Sequence, residues 1–346
     1  DILLDPPDGQ YLGNILSLFH FGPPFPYISI LVPVGLSYIT FQSVSYKIEI
    51  YRGNLKAERN PGILALYLIL FTKVIAGPIE KPQKLIPQFR SRHEFDFELF
   101  KQGVMQIAWG LFKKCVIADR LAVVVDAAYK SQYAGHGPEL AVATFFYAFQ
   151  VYCDFSGYTD IALGVSRVMG LQLTDNFNKP YFSTSVADFW RRWHISLSQW
   201  LRDYIYLPVA YGLSRKWKRE KYLGVKTEKW IYFAATGTAF LVCGAWHGAA
   251  WHFIVWGALF GFYLSFSVAT SRYRKKFYRR TGIVRFPELL SFTRIITTFI
   301  LVSFTWIFFR ADSIRDAFLV IRNIGSFPWA VPRFPLNSAE MALCFL

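Results

Sequence analysis

The chain has 346 residues, of which 53% are hydrophobic and 18% charged, whereas soluble domains carry about 25% charged residues. Its net charge is +15, but the basic residues are concentrated between apolar segments, which favours a membrane surface over nucleic acid as the partner. An aromatic-rich soluble enzyme is disfavoured because residues 9–46 contain no Asp, Glu, Lys or Arg. Composition therefore predicts an all-α, polytopic transmembrane protein.

Apolar periodicity and length predict eight helices. They run over roughly 28–50, 61–79, 99–129, 139–169, 186–206, 229–243, 247–269 and 289–309. No linker or internal repeat divides the chain. The four cysteines form no C-x-x-C pair and predict neither a disulfide framework nor a metal site.

Two of these helices carry charge among their apolar residues. The segment 99–129 either spans the membrane or lies at its interface. The helix 139–169 carries Asp154 and Asp160, and ionisable groups at membrane depth usually face a bundle interior or a wet cavity. The alternative is structural: each aspartate is paired with an arginine or bonded to a neighbouring helix.

The segment 186–206 has the pattern of an amphipathic helix lying in the membrane interface. Its aromatic and aliphatic residues recur at i, i+3 and i+4, and Ser185 followed by Asp188 resembles a capping box. The polar positions that follow one another on another face are Arg191, His194, Ser198 and Arg202. We expect His194 to point into the protein, beside arginines that can hold an anionic substrate.

Two basic segments, 212–229 and 271–285, each carry seven Lys or Arg residues and are predicted to face the cytoplasm. The 40 residues from Trp230 to Ala269 between them suit two helices whose outer ends return to the same side. The stretch "CGAWHGAA" then falls near the midpoint. A buried imidazole at His247 stays neutral and can accept a proton from a hydroxyl, as a general base must.

Other roles for His247 remain open at this point. A lone histidine in an apolar helix is often a satisfied structural group. Metal binding together with His252 is disfavoured, because five residues separate them by about 140° around a helix, whereas ligands usually stand at i and i+4. Cys243 does lie four residues before His247, so a Cys–His dyad is geometrically possible.

Several motifs resemble the bacterial membrane-bound O-acyltransferases (MBOAT), above all the membrane proteins of alginate O-acetylation. They are "VPVGLSYITFQSVSYKIEIYRG", "IAGPI", "VYCDFSGYTDIALGVSRVMG", "DNFNKPYFSTSVADFWRRWHISLSQWLRDYIYLP" and "AWHGAAWHFIVWG". The likeness runs in order from about residue 28 to residue 310, and the 153–208 block is highly specific. It implies one membrane domain over residues 1–346, lacking the terminal helices of the family, with interfacial and re-entrant helices around a central tunnel. Lys73, shortly before "AGPI", has no role in this interpretation.

The resemblance also implies the site and its chemistry. The family's catalytic histidine lies in its W-H-G motif, here His247, and its second characteristic histidine in R-R-W-H, here His194. Trp246 is a candidate oxyanion donor. The candidate substrate-binding residues are Trp246, Arg191, Arg192, Arg202 and Asp160. No metal is expected.

The implied reaction transfers an acyl group, most simply from acetyl-CoA in the cytoplasm, to an extracytoplasmic polysaccharide or a partner protein that modifies one. The implied location is the bacterial inner membrane, with multiple passes and lipid contact. Three alternatives remain: D-alanyl transfer from a carrier-protein thioester, a proton-coupled transporter, and a structural membrane subunit. Loss of thioester hydrolysis on substitution of His247 would distinguish the enzymes from the other two.

Overall fold

The computed structural model describes residues 35–130 and 137–326, which are built almost entirely of helices. The α-helices are α1 (Leu36–Tyr51), α2 (Pro61–Ile69), α3 (Pro82–Leu85), α4 (Phe97–Leu111), α5 (Asp119–Lys130), α6 (Gly137–Val168), α7 (Val186–Trp190), α8 (Ile195–Leu201), α9 (Leu207–Lys216), α10 (Thr227–His247), α11 (Trp251–Ala269), α12 (Ser271–Arg280), α13 (Pro287–Arg310) and α14 (Ile314–Ile324). Short 3-10 helices occupy Ile86–Arg90, Pro180–Phe182 and Ile283–Arg285, and π-helices occupy Phe112–Ala118 and Arg202–Tyr206. Strands β1 (Lys221–Tyr222) and β2 (Val225–Lys226) pair antiparallel as one small hairpin.

The described residues form two compact units. The first contains 35–111, 157–174 and 246–250, and the second contains 112–130 with 137–156, 175–245 and 251–326. The core of the first unit is made of buried aromatic and aliphatic side chains, namely Tyr46, Tyr67, Leu70, Leu85, Ile86 and Leu171.

Within the first unit, α4 packs closely against the second half of α6. A Cβ atom at Gly103 would lie 2.7 Å from the Gly164 carbonyl oxygen, and one at Gly110 would lie 2.5 Å from the Gly157 carbonyl oxygen. The order of these contacts makes the two helices antiparallel. Small residues thus let the backbones meet directly, as is typical of membrane helix pairs.

The helix predicted over 61–79 is wrong in its second half. It begins as expected, because the Asn60 side chain caps the amides of Gly62 and Ile63 and Pro61 occupies the first turn. It ends at Ile69, and the chain continues in tight turns in which Gly77 donates its amide to the Lys73 carbonyl at 2.9 Å. Proline at position 78 disfavours helical geometry at the residue before it, which prevents the helix from resuming.

Within the second unit, α10 and α11 form an antiparallel hairpin with direct backbone contact. A Cβ atom at Gly244 would overlap the carbonyl oxygen of Phe253, and one at Gly257 would overlap that of Phe240. The predicted pair of helices over the Trp230–Ala269 segment is therefore confirmed. The break falls at residues 248–250, slightly later than predicted.

Two helices of the described residues, α11 and α13, are long and apolar enough to cross a membrane. Their outward faces carry exposed apolar side chains: Phe262 and Phe266 on α11, and Leu289, Phe292, Ile296 and Ile300 on α13. Contiguous exposed apolar surface of this kind suits contact with lipid. The polytopic arrangement, the interfacial helices and the central tunnel stay predictions.

The remaining predicted helices agree with the structure to different degrees. The segment 99–129 corresponds to α4, a π-helix and α5, while 139–169 and 289–309 correspond to α6 and α13. The segment 28–50 corresponds to α1, and its residues 28–34 lie outside the described residues. No helix was predicted for the basic segment 271–285, but α12 occupies much of it, since Lys and Arg are good helix formers.

Candidate active site

The predicted continuous helix over 186–206 is wrong, and the break falls at His194. Helix α7 begins as expected, with the Ser185 hydroxyl accepting the Asp188 amide at 3.1 Å, but it ends at Trp190. His194 has φ +43°, in the left-handed region that non-glycine residues rarely adopt, and α8 starts directly after it. Such backbone strain persists only where the surrounding structure holds it.

The side chain of Asn176 holds this turn. Its Oδ1 atom accepts hydrogen bonds from the Ser196 amide at 3.1 Å and the Ser196 hydroxyl at 2.7 Å, and lies 3.4 Å from His194 Nδ1. Its backbone carbonyl accepts the Ile195 amide at 3.0 Å. Because an amide oxygen can only accept, the geometry places a proton on His194 Nδ1, so that in the neutral ring Nε2 is the basic nitrogen.

His194 points into the protein, as predicted, with only 2% of its surface exposed. The Phe155 ring packs against the imidazole at 4.7 Å between centroids, with the two planes nearly perpendicular. Phe177 packs between Phe155 and Trp193, at 5.0 and 5.1 Å from their rings. In the second unit, therefore, the imidazole packs against Phe155, which belongs to an aromatic cluster.

The three candidate arginines do not share this setting. Arg191 and Arg202 are largely exposed and lie within 3.5 Å of Asp188 and Asp203 respectively. Arg192 is partly exposed and reaches Asp188 at 3.3 Å. The predicted polar stripe joining His194 to Arg191 and Arg202 is therefore wrong, because the left-handed turn interrupts the helix on which the spacing depended. Their role as substrate ligands stays a prediction.

His247 is the last residue of α10 and is followed by three residues before α11 begins. Its side chain is partly buried. The neighbouring Trp246 ring lies 4.5 Å from the imidazole centroid and packs against Phe41 at 5.1 Å and Tyr38 at 6.3 Å. In the first unit, therefore, an aromatic group from α1 supports the W-H-G segment at the point where the helix ends.

Asp160 also belongs to the first unit, where its Oδ1 atom accepts a hydrogen bond from Gln106 of α4 at 3.1 Å. Asp154, in the second unit, pairs with Lys114 at 2.6 Å. Both contacts support the structural alternative for these two aspartates, with lysine and glutamine as the partners in place of arginine. The role of Asp160 in substrate binding stays a prediction.

The other candidates near the W-H-G segment have structural settings. His252 Nδ1 donates to the Phe308 carbonyl at 3.0 Å, which ties α11 to α13. Cys243 is fully buried and forms no disulfide. Among the residues that the structure describes, no three His, Cys, Asp or Glu side chains group closely enough to hold a metal ion.

Sequence reasoning missed the residues that support the two histidines. Asn176 stands 18 residues before His194 and lies outside the helical segment that begins at Val186, so the periodic pattern of that segment does not include it. Tyr38 and Phe41 lie in an apolar segment. Its pattern predicts that they are buried but does not show that they pack against Trp246. Their contacts depend on tertiary packing alone.

Comparison with known proteins identifies the family. Residues 59–309 match the membrane-bound O-acyltransferase family, MBOAT. The probable alginate O-acetylase AlgI of Pseudomonas aeruginosa is 35% identical over 320 residues, which is 92% of this chain and 56% of that protein. The peptidoglycan O-acetyltransferase of Helicobacter pylori is 30% identical, covering 87% of this chain and 58% of that protein.

A third relative, the teichoic acid D-alanyltransferase of Bacillus subtilis, is 29% identical over 264 residues, covering 72% of this chain and 64% of that protein. The chain thus spans somewhat more than half the length of the curated relatives it matches. With the family matched over most of the sequence, and with the W-H-G and R-R-W-H segments inside the matched range, the chain belongs to the membrane-bound O-acyltransferase family.

Proposed function

We propose that this protein is an O-acyltransferase of the bacterial inner membrane that moves an acetyl group from a cytoplasmic thioester, acetyl-CoA, toward a hydroxyl of an extracytoplasmic polysaccharide. The observation that carries the proposal is the partly buried imidazole of His247, held at the end of a helix by aromatic packing of Trp246. The relatives are named for acetyl transfer to alginate or peptidoglycan and for D-alanyl transfer to teichoic acid.

In the proposed reaction, His247 takes the proton of the acceptor hydroxyl as its oxygen attacks the thioester carbonyl carbon. General-base catalysis of this kind contributes about 10²–10⁴-fold to the rate. The tetrahedral intermediate collapses with cleavage of the C–S bond, and the leaving thiolate takes up the proton. The indole N–H of Trp246 is the proposed donor to the oxyanion.

His194 has a supporting role in this proposal. Its Nδ1 is turned toward the side-chain Oδ1 of Asn176, and its ring packs against Phe155. An imidazole fixed in one tautomer suits hydrogen bonding to a substrate group and its orientation. Arg191, Arg192 and Arg202, which lie on the surface side of the same segment, would attract an anionic donor or an acyl carrier.

The proposed location follows from the two apolar helices and the basic segments. Helices α11 and α13 flank α12, whose ten residues include six Lys or Arg and no acid. Such short basic segments mark the cytoplasmic side of a membrane. The acceptor is then reached across the bilayer, by a partner protein or by the polysaccharide itself.

The test compares wild-type protein, reconstituted in lipid vesicles, with His247→Ala for transfer and hydrolysis of radiolabelled acetyl-CoA. We expect His247→Ala to lose at least 99% of turnover, since base catalysis contributes ~10² or more. Cys243→Ser is the matched control from the same helix and should keep most activity. Retention of more than about a tenth of turnover by His247→Ala would refute the general base, and a trapped acyl group on Cys243 would establish two-step covalent transfer instead.

D-alanyl transfer is the second candidate, because the teichoic acid D-alanyltransferase of Bacillus subtilis covers 72% of this chain. The same vesicles, given a D-alanyl thioester on a carrier protein, distinguish the two donors. Turnover with that thioester alone would replace acetyl-CoA in the proposal and leave the role of His247 intact. Wild-type protein that cleaves neither thioester would favour a transporter or a structural subunit.

A further inference from the structure

Lys73 is a fully buried lysine that the proposed reaction does not use. Its side chain has 0% of its surface exposed. Burying an ammonium group is unfavourable unless the surroundings compensate its charge. A buried lysine therefore needs specific hydrogen-bonding or charged partners, and the identity of those partners indicates its role.

The ammonium group of Lys73 binds two oxygen atoms and faces one aromatic ring. Its Nζ atom donates to Gln42 Oε1 at 2.5 Å and to the Tyr67 backbone carbonyl at 2.6 Å. It also lies 4.8 Å from the centroid of the Tyr67 ring, in a cation–π contact. Both hydrogen-bond partners are neutral oxygen atoms, and the buried carboxylate of Glu80 also acts on the ammonium group electrostatically.

These bonds join two helices of the first unit. Gln42 belongs to α1, whereas the Tyr67 carbonyl lies in the last turn of α2, where a cation is favoured by the helix dipole. The backbone of Lys73 is fixed as well, because its amide donates to the Leu70 carbonyl at 3.0 Å and Gly77 packs directly on its Cα. The ammonium group thus holds α1 at one angle against the end of α2.

The part of α1 next to Gln42 also carries the rings that support the W-H-G segment. Phe41 precedes Gln42, and Tyr38 lies one helical turn earlier. Both rings pack on Trp246, whose own ring lies 4.5 Å from His247. A shift of α1 after loss of the Lys73 bonds would therefore move the surface against which Trp246 rests.

We infer that Lys73 is a positioning residue for the acyl-transfer site: its bond to Gln42 fixes α1, and α1 fixes Trp246 and His247. This inference rests on the proposed function of His247. A misplacement of about 1 Å far from the chemistry can cost about 10²-fold in rate. Lys73 then acts on the rate of the chemical step and not on the affinity for the thioester.

The experiment measures kcat and KM of Lys73→Met in vesicles, with Lys47→Met as the matched control. Methionine keeps the length of the lysine stem but removes its donors, and Lys47 is an exposed lysine on α1, the helix that carries Gln42. We expect Lys73→Met to lower kcat by about 10–100-fold per folded molecule, with KM for the thioester within about twofold of wild type. Lys47→Met should match wild type in both constants.

Two double variants separate positioning from simple loss of stability. Gln42→Met should reproduce the fall in kcat, and Gln42→Met combined with Lys73→Met should fall no further, because both changes remove one bond. Lys73→Met should also have no added effect on the remaining rate of His247→Ala. Monodisperse elution and a wild-type circular dichroism spectrum would show that each variant is folded.

The outcomes that would overturn the inference differ from those that would overturn the proposed function. Positioning through His247 would be refuted if Lys73→Met has a normal kcat, or if its loss of activity is explained by KM or by the folded fraction. It would also be refuted if Lys73→Met lowers the remaining rate of His247→Ala by the same factor as that of the wild type. If His247→Ala itself stays active, the proposed function fails, whatever Lys73→Met does.

Discussion

Substitution of Asn176 by alanine tests whether this side chain holds the left-handed turn at His194. The change removes three hydrogen bonds to Oδ1, from the Ser196 amide, the Ser196 hydroxyl and His194 Nδ1. All three residues are buried, and a neutral hydrogen bond contributes about 0.5–1.5 kcal/mol. The 3.4 Å bond falls at the low end, so we expect a loss of about 2–3 kcal/mol in the free energy of unfolding.

The assay is equilibrium unfolding in mixed dodecylmaltoside–SDS micelles, followed by circular dichroism, together with acetyl transfer in vesicles. Asn178→Ala is the matched control, since Asn178 is exposed two residues further along the same segment. We expect Asn176→Ala to lower turnover about 10–100-fold, because His194 loses the partner that orients its ring. If Asn176→Ala and Asn178→Ala agree within about 0.5 kcal/mol and in turnover, other contacts hold the turn and Asn176 does not.

Three further predictions concern the helical hairpin, the strained turn and the basic segments. Gly257→Ala should destabilise the protein by about 1–3 kcal/mol in the same unfolding assay, because its methyl group would overlap a backbone carbonyl; Gly261→Ala, whose nearest neighbour would be 3.5 Å away, should be neutral or stabilising. His194→Gly should unfold at higher denaturant than His194→Ala, since both lack the imidazole but glycine adopts a positive φ without strain; equal stability would show that the turn is unstrained. Single cysteines in 212–229 and 271–285 should react with a membrane-impermeant maleimide only from the cytoplasmic side, and labelling from the periplasm at either would contradict the topology.

The helical hairpin whose turn follows His247 could be predicted from the sequence, because the length and apolar content of the segment are enough to indicate two helices. Two basic segments bound 40 residues, and that length accommodates two helices of membrane-crossing size. Glycine and alanine near the midpoint are also typical of closely packed membrane helices. The structure has both helices and places the break within a few residues of the expected point.

The turn at His194 could not be predicted in the same way. The apolar spacing of 186–206 continues through the break, so periodicity predicts one helix where the structure has two and a π-helix. What interrupts the helix is a bond to Asn176, which lies outside the periodic segment. A tertiary contact of this kind overrides local helical preference and leaves no mark in the spacing.

The burial of Lys73 could not be predicted from the sequence for a different reason, because it depends on partners that are distant in the chain. A lysine in an apolar run predicts either an exposed face or a costly buried charge. Gln42, 31 residues earlier, supplies the oxygen that decides between them. Neither the early end of α2 nor the bond to α1 follows from local composition.

The contact between α10 and α11 limits which amino-acid substitutions this part of the chain can tolerate. The two helices meet through backbone atoms at Gly244 and Gly257, so their separation does not depend on the size of the neighbouring side chains. The outward positions of α11, such as Phe262 and Phe266, are exposed and need only remain apolar to suit lipid. Mutations there can accumulate with little effect on fitness, whereas one additional methyl group at Gly257 forces the helices apart and would be removed by selection.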